Sequence, residues 1–137
     1  ILKGRALFLS RDRINHAQPI VAQFQIQPEN PNFLVAHLSG GNQQKVLLGR
    51  ETARTFSVLV VAQPTRGVDI RGSHFIRSEL VRLAQQGKSI LIISSDLHEL
   101  MELSSRLLVL RQGRFVAEFQ YSQFDRQIIG QAMLGAA

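Results

Sequence analysis

At 137 residues, with 45% hydrophobic and 19% charged side chains, the chain has the composition of a globular domain or part of one, not of a disordered or fibrous segment. The absence of cysteine excludes a disulfide framework, a thiolate metal site and a cysteine nucleophile, and fits a reducing compartment, with cytoplasm as the default. A formal charge of +6 suits an acidic partner, but Lys and Arg are spread along the whole length and aromatics are few, which argues against a nucleic-acid surface.

No apolar run approaches the ~18 residues needed to cross a bilayer. Ile1 to Arg13 scatter basic among apolar residues without a compact apolar stretch or a small-residue cleavage site, so no secretory signal is read there. The missing initiator Met suggests a piece of a longer protein.

In chain order, Ile14, Ala17, Val21 and Phe24 recur at helical spacing and predict an amphipathic helix from about Ser10, kinked at Pro19 because that residue has no backbone N–H. Gln27 to Asn32 holds Pro28, Asn30, Pro31 and Asn32, a turn-forming cluster that must be loop. Val46, Leu47, Gly49, Arg50 and Ala53 belong to a second helix ending near Arg54. From Val58 to Ala62 every residue is apolar, the pattern of a strand buried on both faces of a parallel sheet. A helix follows with Ile76, Leu80, Leu83 and Ala84 on one stripe and Gly87 placed to end it in a left-handed conformation.

Ser89 to Ser94 is the next buried strand, and Asp96 with Glu99 resembles a capping pair opening a short helix through Leu103. Arg106 to Leu110 and Arg114 to Phe119 flank Gln112-Gly113 and predict a tight hairpin. Ser122 is then placed to cap a last helix carrying Phe124, Ile128, Ile129 and Met133 on its apolar side. Strand, helix, strand, helix is an α/β rhythm. The division expected is a helical portion over 1–54 and an α/β core portion over 55–137.

The sharpest local motif is Leu38-Ser39-Gly40-Gly41-Asn42-Gln43-Gln44-Lys45, a serine and two glycines directly before a helix. Glycines let a phosphate approach the backbone, and a helix N-terminus offers free N–H groups and partial positive charge. The same tripeptide also serves as an ordinary cap in a glycine-rich turn, and these residues alone leave both open. The second motif, Val58-Leu59-Val60-Val61-Ala62-Gln63-Pro64-Thr65-Arg66-Gly67-Val68-Asp69, follows one helix later.

Together the two resemble the signature motif and the Walker B strand with D-loop of ATP-binding cassette (ABC) ATPases. Ile92 to Leu100 looks like the switch region of that family and Arg106 to Phe119 like its following strand pair, so the resemblance covers nearly the whole chain. Asn42 in place of the commoner glutamine, followed by Gln43-Gln44-Lys45-Val46, narrows the likeness to the second cassette of double-cassette importers for simple sugars and nucleosides, and Ala62 to Gly67 leans to the nucleoside branch.

The resemblance implies the C-terminal part of a P-loop (RecA-like) domain, a parallel sheet flanked by helices, with part of the helical signature subdomain. It implies ATP and Mg²⁺ as cofactors, held mainly by a partner cassette and by N-terminal parts. The implied partners are a second cassette, transmembrane permease subunits and, indirectly, a solute-binding protein, with the chain peripheral at the cytoplasmic face of the inner membrane. It further implies that Ser39, Gly40, Gly41 and Asn42 contact nucleotide and that Asp69 lies in the loop where cassettes meet.

The departures are as specific. An active cassette ends its strand in a metal-binding aspartate and a water-activating glutamate. Ala62 and Gln63 stand there: alanine ligates no metal, and an amide is not a carboxylate base. The switch position, usually histidine, aligns with Ser95, while His98 one turn later reads as a solvated helix face. The run G-x-x-x-x-G-K-[ST] of Walker A does not occur. No catalytic group is therefore intact and no metal ligand is expected. The alternatives are a lobe of a DNA-maintenance or repair ATPase, and a non-catalytic interaction protein that keeps the fold.

Overall fold

The computed structural model describes the backbone of residues 2–135 and the side chains of residues 12–135. The described elements are α1 (Leu2–Gln23), a 3-10 turn (Val35–His37), α2 (Gly40–Thr52), β1 (Val58–Ala62), α3 (Ile70–Gln85) and β2 (Ser89–Ile93). They continue with α4 (Leu97–Leu103), β3 (Arg106–Arg111), β4 (Arg114–Gln120), a second 3-10 turn (Tyr121–Gln123) and α5 (Arg126–Leu134). The chain divides into two compact units: one runs to Leu59 and resumes over Pro64–Ser89, and the other takes Val60–Gln63 and continues from Ile90.

In the first unit, α1 begins well before Ser10 and accommodates Pro19, which removes only the one N–H that would have bonded the Asn15 carbonyl. Its expected stripe is covered: Ile14 and Ala17 are half-buried, and Val21 and Phe24 are buried. The second helix ends at Thr52, with Leu48 buried and Leu47 left exposed. Helices α1 and α2 meet at Gly49, where a methyl group would lie 2.5 Å from Ile20 Cγ2 and 3.0 Å from Phe24 Cδ2. Only hydrogen fits. Gly49→Leu is expected to destabilise the chain by about 1–3 kcal/mol through overpacking, read as a lower midpoint in a circular-dichroism melt.

Phe24 continues onto α3 through an edge-to-face contact with Phe75, centroids 5.9 Å apart, and Lys45 Nζ from α2 sits 4.7 Å from the same Phe75 ring. Ile76, Leu80 and Leu83 line the buried side of α3, whereas Ala84 is exposed, one position round from the stripe. The helix ends as expected, with Gly87 at a left-handed φ of 81°.

Strands β1 and β2 pair. The bonds Ser89 N–H to Ser57 O and Gln63 N–H to Ile93 O advance in the same sense along both strands, so the pairing is parallel. The expectation that both faces are buried does not hold among the described residues. Leu59 is buried and Val61, Ile90 and Ile92 are half-buried, but Val58, Val60, Leu91 and Ile93 on the other face are 50–59% exposed. An unbroken apolar run specifies that two faces prefer cover; it does not supply the cover.

In the second unit, β3 and β4 form an antiparallel hairpin closed by Gln112 and Gly113, both at positive φ, with a register shift between Val109 and Leu110. Leu107 and Val109 pack with Ile129 of α5, joined by Leu100 and Met101 of α4, by Phe119 of β4 and by Phe124 and Met133. The α5 cap is Asp125, not Ser122, because residues 121–123 are taken up by a 3-10 turn, and Ile128 faces outward while Ile129 is buried. Among the described residues no helix is long and apolar enough to cross a membrane.

Candidate functional site

Ser39 adopts extended backbone (φ −60°, ψ 155°) and begins α2 as its N-cap. Its exposed hydroxyl oxygen accepts from the Asn42 backbone N–H at 3.4 Å and from Asn42 Nδ2 at 3.1 Å. Gln43 locks the residue before the cap, donating through Nε2 to the Leu38 carbonyl at 2.9 Å. The N–H groups of Gly40 and Gly41 belong to the first turn and have no intrahelical acceptor, and no acidic side chain occupies that turn. The result is a group of donors at the positive end of a helix of 13 residues, exposed at Ser39 and Gly40 and buried at Gly41, of a kind suited to an anionic oxygen.

The two glycines are closely approached by a segment 27 residues further on. A methyl group at Gly40 would lie 3.2 Å from the Gly67 carbonyl oxygen, and one at Gly41 would lie 3.2 Å from Val68 Cγ1 and 3.8 Å from Asp69 Oδ2. Gly67 takes a left-handed φ of 72°, which turns the loop under the donor group. Asp69 is used structurally in this chain: its Oδ1 accepts from Gly72 N–H at 2.7 Å and caps α3. The fold thus brings Ser39, Gly40, Gly41, Asn42 and Asp69 into one neighbourhood of the first unit.

Within the second unit, Gln63 follows β1 at a left-handed φ of 51°, a sparsely populated conformation for a residue with a Cβ. Its N–H donates to the Ile93 carbonyl at 2.7 Å and its Nε2 donates to Ser95 Oγ at 3.3 Å, so the two strand-end positions flagged from sequence are joined side by side. Ala62 offers only a methyl, and the Gln63 amide is engaged with Ser95. Mg²⁺ needs oxygen ligands, preferably carboxylates, and this strand end does not fit it. Among the described residues there is no group of three or more His, Asp or Glu side chains placed to hold a metal. His98 is exposed on α4, whose N-terminus is capped by Asp96 accepting from the His98 and Glu99 N–H groups at 3.0 and 3.2 Å.

Two contributors lay outside the sequence argument. The backbone N–H of Gln27 donates to Asn42 Oδ1 at 3.0 Å, and the Gly67–Val68 segment props the two glycines. The turn-forming Gly67 was a visible signal for the second; nothing local pointed to the first.

No protein-family model matches the chain. Its fold is that of the C-terminal part of an ATP-binding cassette. It matches a dimeric, post-hydrolysis structure of the cassette MJ0796 bound to ADP and Pi with a TM-score of 0.71 and 23% identity, over 80% of this chain and 47% of that one. The cassette MJ1267 matches with a TM-score of 0.73 and 21% identity, over 89% and 48%.

In sequence the chain resembles importer cassettes in particular. It is 34% identical over 120 residues to the guanosine import ATP-binding protein NupO of Bacillus subtilis (strain 168), covering 88% of this chain and 24% of that protein. It is 37% identical over 120 residues to the arabinose import ATP-binding protein AraG of Shigella boydii serotype 4 (strain Sb227), covering 87% and 24%. The nucleoside import ATP-binding protein NupA of Lactococcus lactis subsp. cremoris (strain MG1363) is 33% identical over 129 residues, covering 93% and 26%. The chain spans about a quarter of the length of these curated relatives.

Proposed function

We propose that this chain is the signature-bearing C-terminal portion of the second cassette in a double-cassette importer of nucleosides or simple sugars. The observation that carries the proposal is the donor group at the start of α2, exposed at Ser39 and Gly40 and buried at Gly41, with no acidic side chain within the helix's own first turn. In this role the group caps the terminal phosphate of ATP held by a partner cassette and stabilises the charge that gathers there during phosphoryl transfer. Asn42 and Asp69 belong to the same face. Ala62, Gln63 and Ser95 belong to the chain's other nucleotide position, which is degenerate because it lacks both carboxylates.

The names of the relatives, which pair guanosine, nucleoside and arabinose import with ATP binding, support this class of solute. Mg²⁺ and most of the ATP contacts come from a partner cassette and from cassette parts beyond these residues. The assembly includes transmembrane permease subunits and works with a solute-binding protein, so the chain sits peripherally at the cytoplasmic face of the inner membrane.

The proposal is tested by calorimetry and by pairing. The 137-residue chain, which contains no Walker A run, is expected to show no tight binding and no turnover of MgATP by itself. Mixed with a competent cassette trapped with ATP, it is expected to associate in a nucleotide-dependent way. Low-micromolar MgATP binding by the chain alone, or pairing indifferent to ATP, would overturn it; the second result would instead favour a non-catalytic assembly role, which the missing carboxylates at Ala62 and Gln63 also suit.

A further inference from the structure

We infer that Asn42 is a positioning residue that sets the Ser39 hydroxyl as an outward-pointing donor. This rests on the signature role just proposed and goes beyond it by assigning how the serine is prepared. A serine hydroxyl can donate or accept, and its hydrogen turns to suit its surroundings. The surroundings here leave it one choice. The backbone N–H of Gln27 can only donate, and it lies 3.0 Å from one end of the Asn42 amide, so that end is the carbonyl. The NH₂ end then faces Ser39 Oγ at 3.1 Å and must donate to it.

The backbone N–H of Asn42 is directed at the same oxygen at 3.4 Å. With two donors supplied to its lone pairs, the exposed hydroxyl keeps its hydrogen for something outside the chain, next to the free N–H groups of Gly40 and Gly41. An anionic phosphate oxygen then meets a hydroxyl already set to donate, with no hydroxyl to turn round, and that part of the reorganisation cost is removed in advance. Capping α2 requires only the Ser39 oxygen and a backbone N–H. The amide link spanning Gln27, Asn42 and Ser39 is therefore additional to the cap.

Aspartate at this position separates the roles. Asn42→Asp still accepts from Gln27 N–H but offers Ser39 an oxygen, which draws the hydroxyl hydrogen inward. The test is a double-mutant cycle of Asn42→Asp and Ser39→Ala on kcat in the assembled importer. Protection of the Gln27 amide from hydrogen exchange and a circular-dichroism melt show that the local fold is kept. Each single change is expected to lower kcat about tenfold, the effect of one hydrogen bond, with a smaller change in KM for ATP. The double variant is expected to be no worse than the weaker single variant, because both changes remove the same donor.

Additive losses of about a hundredfold would mean that the aspartate acts through its own charge, and would overturn the inference while leaving the signature role intact. Unchanged turnover in Asn42→Asp with a loss in Ser39→Ala would do the same. Unchanged turnover in Ser39→Ala and Ser39→Arg alike would overturn the signature role as well. Asn42→Gln, which can restore an amide donor, is expected to recover part of the lost kcat; no recovery, with the Gln27 amide still protected, also counts against the inference.

Discussion

On the proposed signature role, Ser39→Arg in the assembled two-cassette importer is expected to abolish most ATP turnover, by about a hundredfold or more. Ser39 is exposed beside the donor group, so an arginine there extends over the space in front of it. Gly40 and Gly41 already lie close to the Gly67 carbonyl and to Val68, so the first turn of α2 is held from behind. The arginine therefore fills the space of the phosphate it would otherwise attract. Loss of the cap costs about 1 kcal/mol of stability, too little to unfold a helix that also packs through Leu48 and Gly49. ATP held by the partner's Walker site is expected to be retained. Phosphate release measured beside nucleotide retention checks both halves, and turnover near wild type would show that the signature completes no hydrolytic site.

If the strand-end position is degenerate as proposed, Gln63→Ala is expected to leave most hydrolysis intact, whereas removing the water-activating carboxylate of the proposed partner cassette is expected to eliminate it. A general base acts only within hydrogen-bond reach of the attacking water, and its loss costs on the order of a hundredfold or more. The Gln63 amide is engaged internally, donating to Ser95 Oγ at 3.3 Å, and an amide does not take up the proton. Alanine in its place loses that one contact while keeping the backbone bond to the Ile93 carbonyl, so a modest fall from altered packing is the most that follows. Stopped-flow phosphate release from the two variants decides the matter. A hundredfold loss from Gln63→Ala in a correctly assembled complex would show that the strand-end position is not silent.

Much of the chain's organisation was legible in residues close together in sequence. The apolar run Val58 to Ala62, the stripe Ile76, Leu80 and Leu83, the left-handed Gly87 and the Gln112-Gly113 turn each became the element expected of them. Backbone conformation is set by contacts within a few residues, and periodicity reports them. The errors were local competitions: Asp125 displaced Ser122 as a cap because a 3-10 turn intervened, and α1 ran past its visible stripe to Leu2.

What separation in sequence conceals was decided by packing. The Gln27–Asn42 bond spans 15 residues and the Gln63–Ser95 bond 32. The approach of Gly67 and Val68 to Gly40 and Gly41 is of the same kind. A strand's own residues likewise do not say which face will be covered, and β1 and β2 cover one face and expose the other. The residue types proposed to matter were visible in the sequence: Ser39, Gly40 and Gly41 as candidate donors, Ala62 and Gln63 without carboxylates. Tertiary structure settled which atom each of them faces, because a side chain that can both donate and accept is directed by neighbours that only the folded chain brings within 3 Å or so.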